Sequence, residues 1–430
     1  MARLRFVHAA DLHLDSPFRG IRSEAPEYVA DSLRRATFDA YENIVALCLR
    51  ERVDALLVAG DVYDGADRSL RAQLKFVDGL TRLDAAGLRS FVCHGNHDPL
   101  DGWEARLSLP PGCVRFGPEV TGEPVFADEP ERATVYGVSY PTREVRENLT
   151  PLFTQASLDG GFGIGLLHAN VGGNSNHDSY APCFVTDLAE TGLDYWALGH
   201  VHTRQVLRQE RPTVVYPGNP QGRHPLETGE RGVYLVEVDD YGAVSLDFHP
   251  VDVVRWETLE VGVAGLEAEQ ELIDAIDSAA ASCAEYAEGR SVVFRLTLAG
   301  RGPLHRWLRS AGTVEELRER VNERYAPSTS SGQAWLWCER IQANTASPVD
   351  REQVAQREDF AGDLARLGGE LRGDPAALGE LRDALRVLYA NSNAAPYLRN
   401  HLPSDEELLE LLAAAEDECL ASLVHEEDEG

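Results

Sequence analysis

Five short segments combine histidine, aspartate and asparagine at spacings that could hold metal ions. They are residues 11–13, 60–64, 95–98, 168 and 199–202. Carboxylate oxygens and imidazole nitrogens suit divalent cations such as Mn²⁺, Fe²⁺, Mg²⁺ or Zn²⁺. No cysteine lies in these segments, which disfavours a structural zinc site. The residue types therefore predict a catalytic metal centre.

The number of candidate ligands fits two cations. Seven side chains in these segments can donate an oxygen or a nitrogen: Asp11, His13, Asp61, Asn96, His168, His200 and His202. If one carboxylate is shared, each cation has four protein ligands and keeps positions for water and substrate. Two cations about 3.5–4 Å apart can activate water and stabilise both ends of an in-line displacement at phosphorus. The predicted chemistry is the hydrolysis of a phosphate ester.

Each segment follows a short apolar run, and this predicts how the segments are brought together. The runs cover residues 4–7, 55–59, 90–93, 164–167 and 195–198, and others lie at 134–138, 213–216 and 233–238. They alternate with helical patterns such as residues 32–51, which favours an α/β layered domain. In such sheets, ligands bind beyond the carboxyl ends of the strands. Segments far apart in sequence can therefore converge on one site.

The sequence predicts four regions. Residues 1–255 form the α/β layered domain, 256–345 a small α/β domain, 346–425 a helical region and 426–430 an acidic, disordered tail. In the helical region, Asp374 precedes Pro375, and both residues favour a helix start. One face of that helix carries the leucine stripe, which we define as Leu378, Leu381, Leu385 and Leu388. The stripe packs either within its own domain or against a partner.

Composition limits the function classes. The 430 residues carry 71 acidic against 40 basic side chains, a net charge of −31, whereas nucleic-acid binders usually present a basic face. The sequence has no secretory segment and no apolar run of about 18 residues, so we expect no membrane span. Seven scattered cysteines without a C-x-x-C pair predict a reducing compartment, the cytoplasm.

The motif order D-x-H, G-D-x-x-D, G-N-H-D, H, G-H-x-H resembles that of the calcineurin-like metallophosphoesterases. Residues 60–64 (GDVYD), 195–202 (YWALGHVH) and 216–219 (YPGN) resemble the SbcD branch of DNA repair exonucleases. Residues 11–20 (DLHLDSPFRG) are more similar to the YhaO-type subgroup. The resemblance is strong over residues 1–250 and rests on domain layout beyond them.

This resemblance implies a fold and roles for the matching residues. The fold would be two sheets flanked by helices, with a small α/β capping domain and C-terminal helices. One cation would be held by Asp11, His13, Asp61 and His202, and the other by Asp61, Asn96, His168 and His200, with Asp61 shared. His97 would act at the leaving oxygen, and Asp98 would orient it. Asp64 lies where some relatives carry histidine, and it joins the catalytic candidates.

The function implied is that of a DNA exonuclease or endonuclease in repair, with Mn²⁺ as the expected cation. It would work with an SbcC-like ATPase bound to the C-terminal helices, and a homodimer is a further candidate partner arrangement. Arg19, Arg22 and Arg223 flank the motifs and are candidate nucleic-acid contacts. The alternative is a phosphoesterase for a small nucleotide or a phosphoprotein. A non-catalytic scaffold is disfavoured because all seven ligands and His97 are present.

Overall fold

Strands and helices alternate along most of the chain, as the apolar runs predict. The computed structural model describes residues 4–21, 25–65, 69–102, 105, 107–155, 161–173, 180–327, 333–389 and 402–428. The strands are β1 (Leu4–Ala9), β2 (Ala55–Ala59), β3 (Arg89–Cys93), β4 (Cys113–Arg115), β5 (Thr121–Pro124), β6 (Ala133–Gly137), β7 (Phe162–His168), β8 (Tyr195–Gly199), β9 (Gln205–Arg208), β10 (Thr213–Tyr216), β11 (Gly232–Val238), β12 (Val244–Pro250), β13 (Val254–Gly262), β14 (Ser291–Arg301) and β15 (Leu336–Ala346). The helices are α1 (Glu27–Glu51), α2 (Leu70–Ala85), α3 (Val185–Glu190), α4 (Glu269–Tyr286), α5 (His305–Leu308), α6 (Thr313–Tyr325), α7 (Arg351–Ala355), α8 (Phe360–Gly373), α9 (Pro375–Tyr389) and α10 (Asp405–Asp428).

Two six-stranded mixed sheets form the α/β domain. The first has the order β12-β11-β1-β2-β3-β4 and the second the order β5-β6-β7-β8-β10-β9. Strands β1 to β4 are parallel neighbours, and so are β6, β7, β8 and β10. One buried cluster, which includes Phe6, Leu57, Phe91, Ile164 and Tyr195, contains side chains from both sheets. The predicted α/β layered fold, with two sheets flanked by helices, is confirmed.

The outer faces of the sheets are covered by helices. Tyr41 and Ile44 of α1 and Phe76 of α2 pack against Val7 and Val58 of the first sheet. Helix α1 is longer than the expected 32–51, because the chain already turns into a helix after Pro26. On the second sheet, α3 buries Leu188 in a cluster that contains Trp196.

The described residues divide into two compact units. The first comprises Met1–Thr258, Cys283–Phe294 and Tyr325–Glu339, and the second comprises Leu259–Ser282, Arg295–Arg324 and Arg340–Gly430. A third sheet has the order β13-β14-β15.

Within the second unit, the C-terminal helices begin where the sequence predicts. Asp374 accepts a hydrogen bond from the Ala376 amide at 2.9 Å and so caps α9. Ser404 and Glu407 cap α10 reciprocally, through bonds of 2.8 and 3.2 Å. The expected disordered tail is helical as far as Asp428, since glutamate is a good helix former.

Cysteine usage and hydropathy add two facts. All seven cysteines are free thiols, and five of them are buried. Among the described residues, no helix is long and apolar enough to cross a membrane.

Candidate metal centre

The five predicted segments meet beyond the carboxyl ends of β1, β2 and β3 in one sheet and of β7 and β8 in the other. The first two segments continue the parallel pairing of their strands. The Asp11 amide donates to the Gly60 carbonyl at 3.1 Å, and the His13 amide donates to the Asp61 carbonyl at 3.0 Å. The strands therefore determine where these side chains lie.

The backbone is strained at four of the seven candidate ligands. Asp11, His13, Asp61 and His200 have φ values of 52°, 42°, 51° and 101°. Each such residue costs about 1–3 kcal/mol, and the strain persists only where the surroundings enforce it. Strained residues concentrate at functional sites, which is consistent with a catalytic role for this cluster.

Gly199 allows the two sheets to approach each other beside the centre. A Cβ atom at this position would lie 1.8 Å from the Ala59 carbonyl oxygen and 2.9 Å from His168 Nδ1. The first of these atoms is backbone, so it cannot move aside without displacing β2. A glycine is therefore required directly before His200.

We expect Gly199→Ala to destabilise the fold by at least about 1–3 kcal/mol, the usual cost of overpacking. Urea unfolding at equilibrium measures this change. Gly117→Ala is the matched control in the same domain, because a Cβ there meets nothing within 4 Å. Equal stability of the two variants would contradict the close approach.

Six of the seven candidate ligands are buried, and His202 alone is partly exposed, with 24% of its side-chain surface accessible. Ligand atoms of Asp11, His13 and His202 lie within 4.8 Å of one another. Those of Asp11, Asp61 and His168 do so as well. The donors thus form two adjacent groups that have Asp11 in common.

Asp61, a member of the second group, also faces the first group. Its Oδ2 atom is 3.3 Å from His168 Nε2 and 3.8 Å from His13 Nε2. One oxygen therefore faces a nitrogen of each group, as a shared carboxylate must.

Asn96 and His200 lie beside the second group. His168 Nε2 lies 3.0 Å from Asn96 Oδ1, while its Nδ1 is held 2.9 Å from the Ala59 carbonyl oxygen. The His200 ring centroid is 5.2 Å from that of His168. The His200 amide donates to both Asp11 carboxylate oxygens at 3.1 Å, which ties the two groups together.

The hydrogen bonding of His13 and His202 provides a test of whether a cation fits. His13 Nδ1 lies 3.2 Å from Asp64 Oδ1, and His202 Nδ1 lies 2.6 Å from Glu227 Oε1. A carboxylate only accepts, so in both rings Nδ1 carries the hydrogen. The Nε2 atoms of the two rings face each other, 3.2 Å apart, and each can present a lone pair. A divalent cation satisfies both lone pairs, so these residues fit a bound metal.

The pKa values of the buried candidate ligands are shifted by burial and by neighbouring charged side chains. Burial, together with Arg223, lowers the pKa of His13 to about 4. Burial raises the pKa of Asp11 to about 6. Burial alone would lower the pKa of His168, but Asp61 and Asp11 outweigh it and raise that pKa to about 9. Burial opposes ionisation of Asp61, yet His168 and His13 hold its pKa well below the usual range.

Comparison with known proteins agrees with this geometry. Residues 4–204 match the family model of the calcineurin-like phosphoesterases, and residues 256–346 match that of the middle domain of metallophosphoesterase YhaO. The uncharacterized metallophosphoesterase YhaO of Bacillus subtilis (strain 168) is 39% identical over 81% of this chain and 83% of its own length. The chain belongs to the YhaO family of calcineurin-like metallophosphoesterases.

More distant relatives carry names of nucleases and repair proteins. The SbcD component of the nuclease SbcCD of Bacillus subtilis is 27% identical over 53% of this chain and 64% of its own length. The DNA double-strand break repair protein Mre11 of Sulfurisphaera tokodaii is 24% identical over 58% of this chain. The chain spans about 60% of the length of that Mre11.

His97 lies at the exposed side of this YhaO-family centre. Its side chain is 39% accessible, and its Nδ1 lies 2.5 Å from Asp64 Oδ1. Burial opposes protonation, but Asp64 raises the pKa of His97. Despite burial, hydrogen bonds from His13 and His97 hold the pKa of Asp64 below its usual range. Asp64 therefore connects a candidate ligand with the candidate catalytic histidine.

The expectation that Asp98 orients His97 is wrong. The Asp98 carboxylate accepts hydrogen bonds from the amides of Gly95 and Val62, each at 2.8 Å, and lies 3.1 Å from His94 Nδ1. Asp98 thus shapes the backbone of two motif segments, and Asp64 is the carboxylate that contacts His97.

Two of the candidate nucleic-acid contacts, Arg19 and Arg223, lie close to the centre. The exposed Arg19 pairs with Arg223 through the backbone, from amide to carbonyl at 2.9 Å. The Arg223 guanidinium lies 3.4 Å from Asp64 Oδ2. Arg22 lies outside the described residues.

Sequence reasoning missed two contributors to the site. Ser16 donates to Asp64 Oδ2, and Glu227 accepts from His202. Neither follows an apolar run, so the strand-end pattern could not identify them. Their position within a few residues of a motif was the only available signal.

Proposed function

We propose that the chain is a two-metal phosphodiesterase that cleaves DNA in repair. The observation that carries the metal chemistry is the pair of facing Nε2 atoms of His13 and His202, with Asp61 beside them. The names of the SbcCD and Mre11 relatives support the DNA substrate.

Different residues of the chain would hold the two cations and protonate the leaving oxygen. Asp11, His13, Asp61 and His202 would hold one cation, and Asp61, Asn96, His168 and His200 the other, with Mn²⁺ suited to the mixed donors. Bound cations supply a more acidic water and charge neutralisation at the phosphate. His97, anchored through Nδ1 to Asp64, keeps Nε2 available at the exposed side to protonate the leaving oxygen.

The openness of the site favours an extended substrate. His97 and His202 are 39% and 24% accessible, so a phosphate can approach from the surface. A cavity beside Asp64, lined also by Tyr63 and Pro99, has a volume of about 30 Å³, enough for a water molecule.

One assay tests the proposal. The purified chain with Mn²⁺ is given labelled single-stranded and double-stranded DNA, a nitrophenyl phosphodiester, a nucleotide and a phosphopeptide. We expect cleavage of DNA and of the simple diester. An Asp61→Ala preparation controls for contaminating nucleases. Turnover of the nucleotide or phosphopeptide without DNA cleavage would favour the alternative.

The acidic charge leads to a prediction about DNA affinity. With 71 acidic and 40 basic residues, the isolated chain should bind DNA weakly at physiological salt, because affinity comes largely from counterions that clustered Lys and Arg release. Arg19→Ala should lower the slope of log affinity against log salt by about 0.9 for duplex DNA. Fluorescence anisotropy over a salt series, in a His97→Ala background that prevents cleavage, measures both effects.

Arg50→Ala is the matched control. Arg50 is 63% exposed and lies in the last turn of α1, directly before the amino end of β2 and so away from the centre. It should leave the slope unchanged. Tight, salt-resistant binding by the chain alone would contradict the prediction.

A partner could supply the missing positive surface, and we propose an SbcC-like ATPase that docks on the helical region. Not all of the leucine stripe is available for it. Leu378 is 6% exposed and packs within its own unit, whereas Leu381 and Leu385 are half-buried. The Leu388 side chain lies outside the described residues. DNA affinity measured with the co-purified ATPase should exceed that of the isolated chain.

A further inference from the structure

His202 is the candidate ligand at the accessible rim of the centre. The other six candidate ligands are buried, whereas the His202 side chain is 24% accessible. Its carbonyl oxygen accepts from the Asn219 amide at 3.2 Å and from Arg231 Nη1 at 2.5 Å. These bonds fix the backbone, and the ring is held through Nδ1, by Glu227 Oε1 at 2.6 Å.

Glu227 is itself held in place by its own turn. Its second oxygen, Oε2, accepts from the Arg223 amide at 2.6 Å and from the His224 amide at 3.2 Å. Arg231 also donates to the Thr228 carbonyl at 3.1 Å, so one guanidinium joins this turn to the backbone of His202. These bonds therefore hold the Glu227 carboxylate in position to accept the hydrogen bond from the His202 ring.

We propose that Glu227 is the positioning residue that fixes the ring orientation and tautomer of His202 and so sets the affinity for the cation held with Asp11 and His13. The inference rests on the proposed two-metal centre. By accepting the Nδ1 hydrogen, Glu227 leaves the Nε2 lone pair directed at the space shared with His13 Nε2, 3.2 Å away. Carboxylate partners of this kind orient histidine ligands and change metal affinity about 10–100-fold.

The competing role is purely structural, since Glu227 also closes the turn at Arg223 and His224. The two roles predict different outcomes. Loss of a turn-closing residue lowers the stability of the metal-free protein and affects both cations together. Loss of a residue that orients His202 lowers the affinity for one cation and leaves the affinity for the other unchanged. This follows because the hydrogen bonds described for Glu227 run to His202, Arg223 and His224.

The test is calorimetric titration of the metal-free chain with Mn²⁺, together with thermal unfolding of each metal-free variant. We expect two equivalents in the wild type. In Glu227→Ala, the affinity for one Mn²⁺ equivalent should fall about 10–100-fold, and the affinity for the other should stay that of the wild type. Glu227→Gln keeps the shape and an acceptor oxygen but loses the charge, so its effect should be intermediate. Glu230→Ala, in the same loop, should behave as the wild type because Glu230 lies 3.9 Å from Arg255 instead.

Three results would overturn the inference. Two wild-type affinities in Glu227→Ala would remove any role for the carboxylate. Equal weakening of both equivalents with a lower metal-free Tm would assign Glu227 to structure. If Glu227→Ala does not fold, Glu227→Gln decides by the same two criteria. A wild-type chain that binds no Mn²⁺ would instead overturn the two-metal centre itself, and the inference with it.

Discussion

Replacing Asp61 with alanine should remove both cations together and leave no hydrolysis above background. The Oδ2 atom of Asp61 faces His168 Nε2 at 3.3 Å and His13 Nε2 at 3.8 Å, so one carboxylate is placed to serve both proposed cations. Loss of a residue that only hydrogen-bonds to a metal ligand already changes metal affinity about 10–100-fold. Loss of a ligand shared by both cations should lower the affinity for each cation by more than that. Titration with Mn²⁺, beside a diester hydrolysis assay, measures both losses.

Asp61→Asn separates the charge from the shape of this residue. Asp61 has a φ of 51°, which asparagine tolerates better than alanine does. Asparagine can also keep the acceptor for the His97 amide, now 2.9 Å from Asp61 Oδ1. We expect the same joint loss of both equivalents, with circular dichroism like that of the wild type. Asp240→Ala, on an exposed turn, is the control. Two equivalents bound at wild-type affinity in either Asp61 variant would contradict the sharing.

The positions of the candidate ligands could be predicted because they depend on a short-range pattern. Strands β1, β2, β3, β7 and β8 are nearly or fully buried, so each appears in the sequence as a continuous apolar run. Parallel neighbours end at the same edge of a sheet. A polar residue directly after such a run must therefore lie at that edge, whatever its distance in sequence from the others.

The strands that sequence reasoning missed lie at the sheet edges. Strands β4 and β12 border the first sheet, and β5 and β9 border the second. Residues of β5 (TGEP) and β12 (VSLDFHP) are exposed or half-buried along their length, so no apolar run marks them. Each pairs with a strand that is close to it in the chain, as β12 does with β11, β9 with β10 and β5 with β6, but an edge strand that is only half-buried carries no continuous apolar run.

Side-chain partners were harder to predict than positions. His97 and Asp98 are adjacent in a bend after β3, and no strand or helix period there predicts which way each side chain points. Asp98 turns towards the amides of Gly95 and Val62, and Asp64 reaches His97 from another strand end. Proximity in sequence suggested the wrong carboxylate.

Replacing His97 with alanine should lower kcat on DNA about 10²–10⁴-fold and leave Mn²⁺ binding nearly intact, because a general acid contributes about that much. The opposing interpretation is that His97 is a ligand, since His13, Asp64 and His97 also offer donor atoms within 4.8 Å of one another. In that case the same substitution would weaken Mn²⁺ binding. Titration of the variant beside the rate assay separates the two, with His249→Ala, a histidine on β12, as the control.

The leaving group provides the sharper test of what His97 does. A DNA 3′ or 5′ oxygen leaves as a poorly stabilised alkoxide and needs a proton, whereas nitrophenolate leaves without one. If His97 Nε2 donates that proton, His97→Ala should lower the rate of hydrolysis far less for a nitrophenyl diester than for DNA. If His97 instead stabilises the phosphoryl oxygens, both substrates should lose rate equally. Asp64→Asn should follow the pattern of His97→Ala more weakly, because it keeps an acceptor for Nδ1 but removes the charge that stabilises the protonated ring.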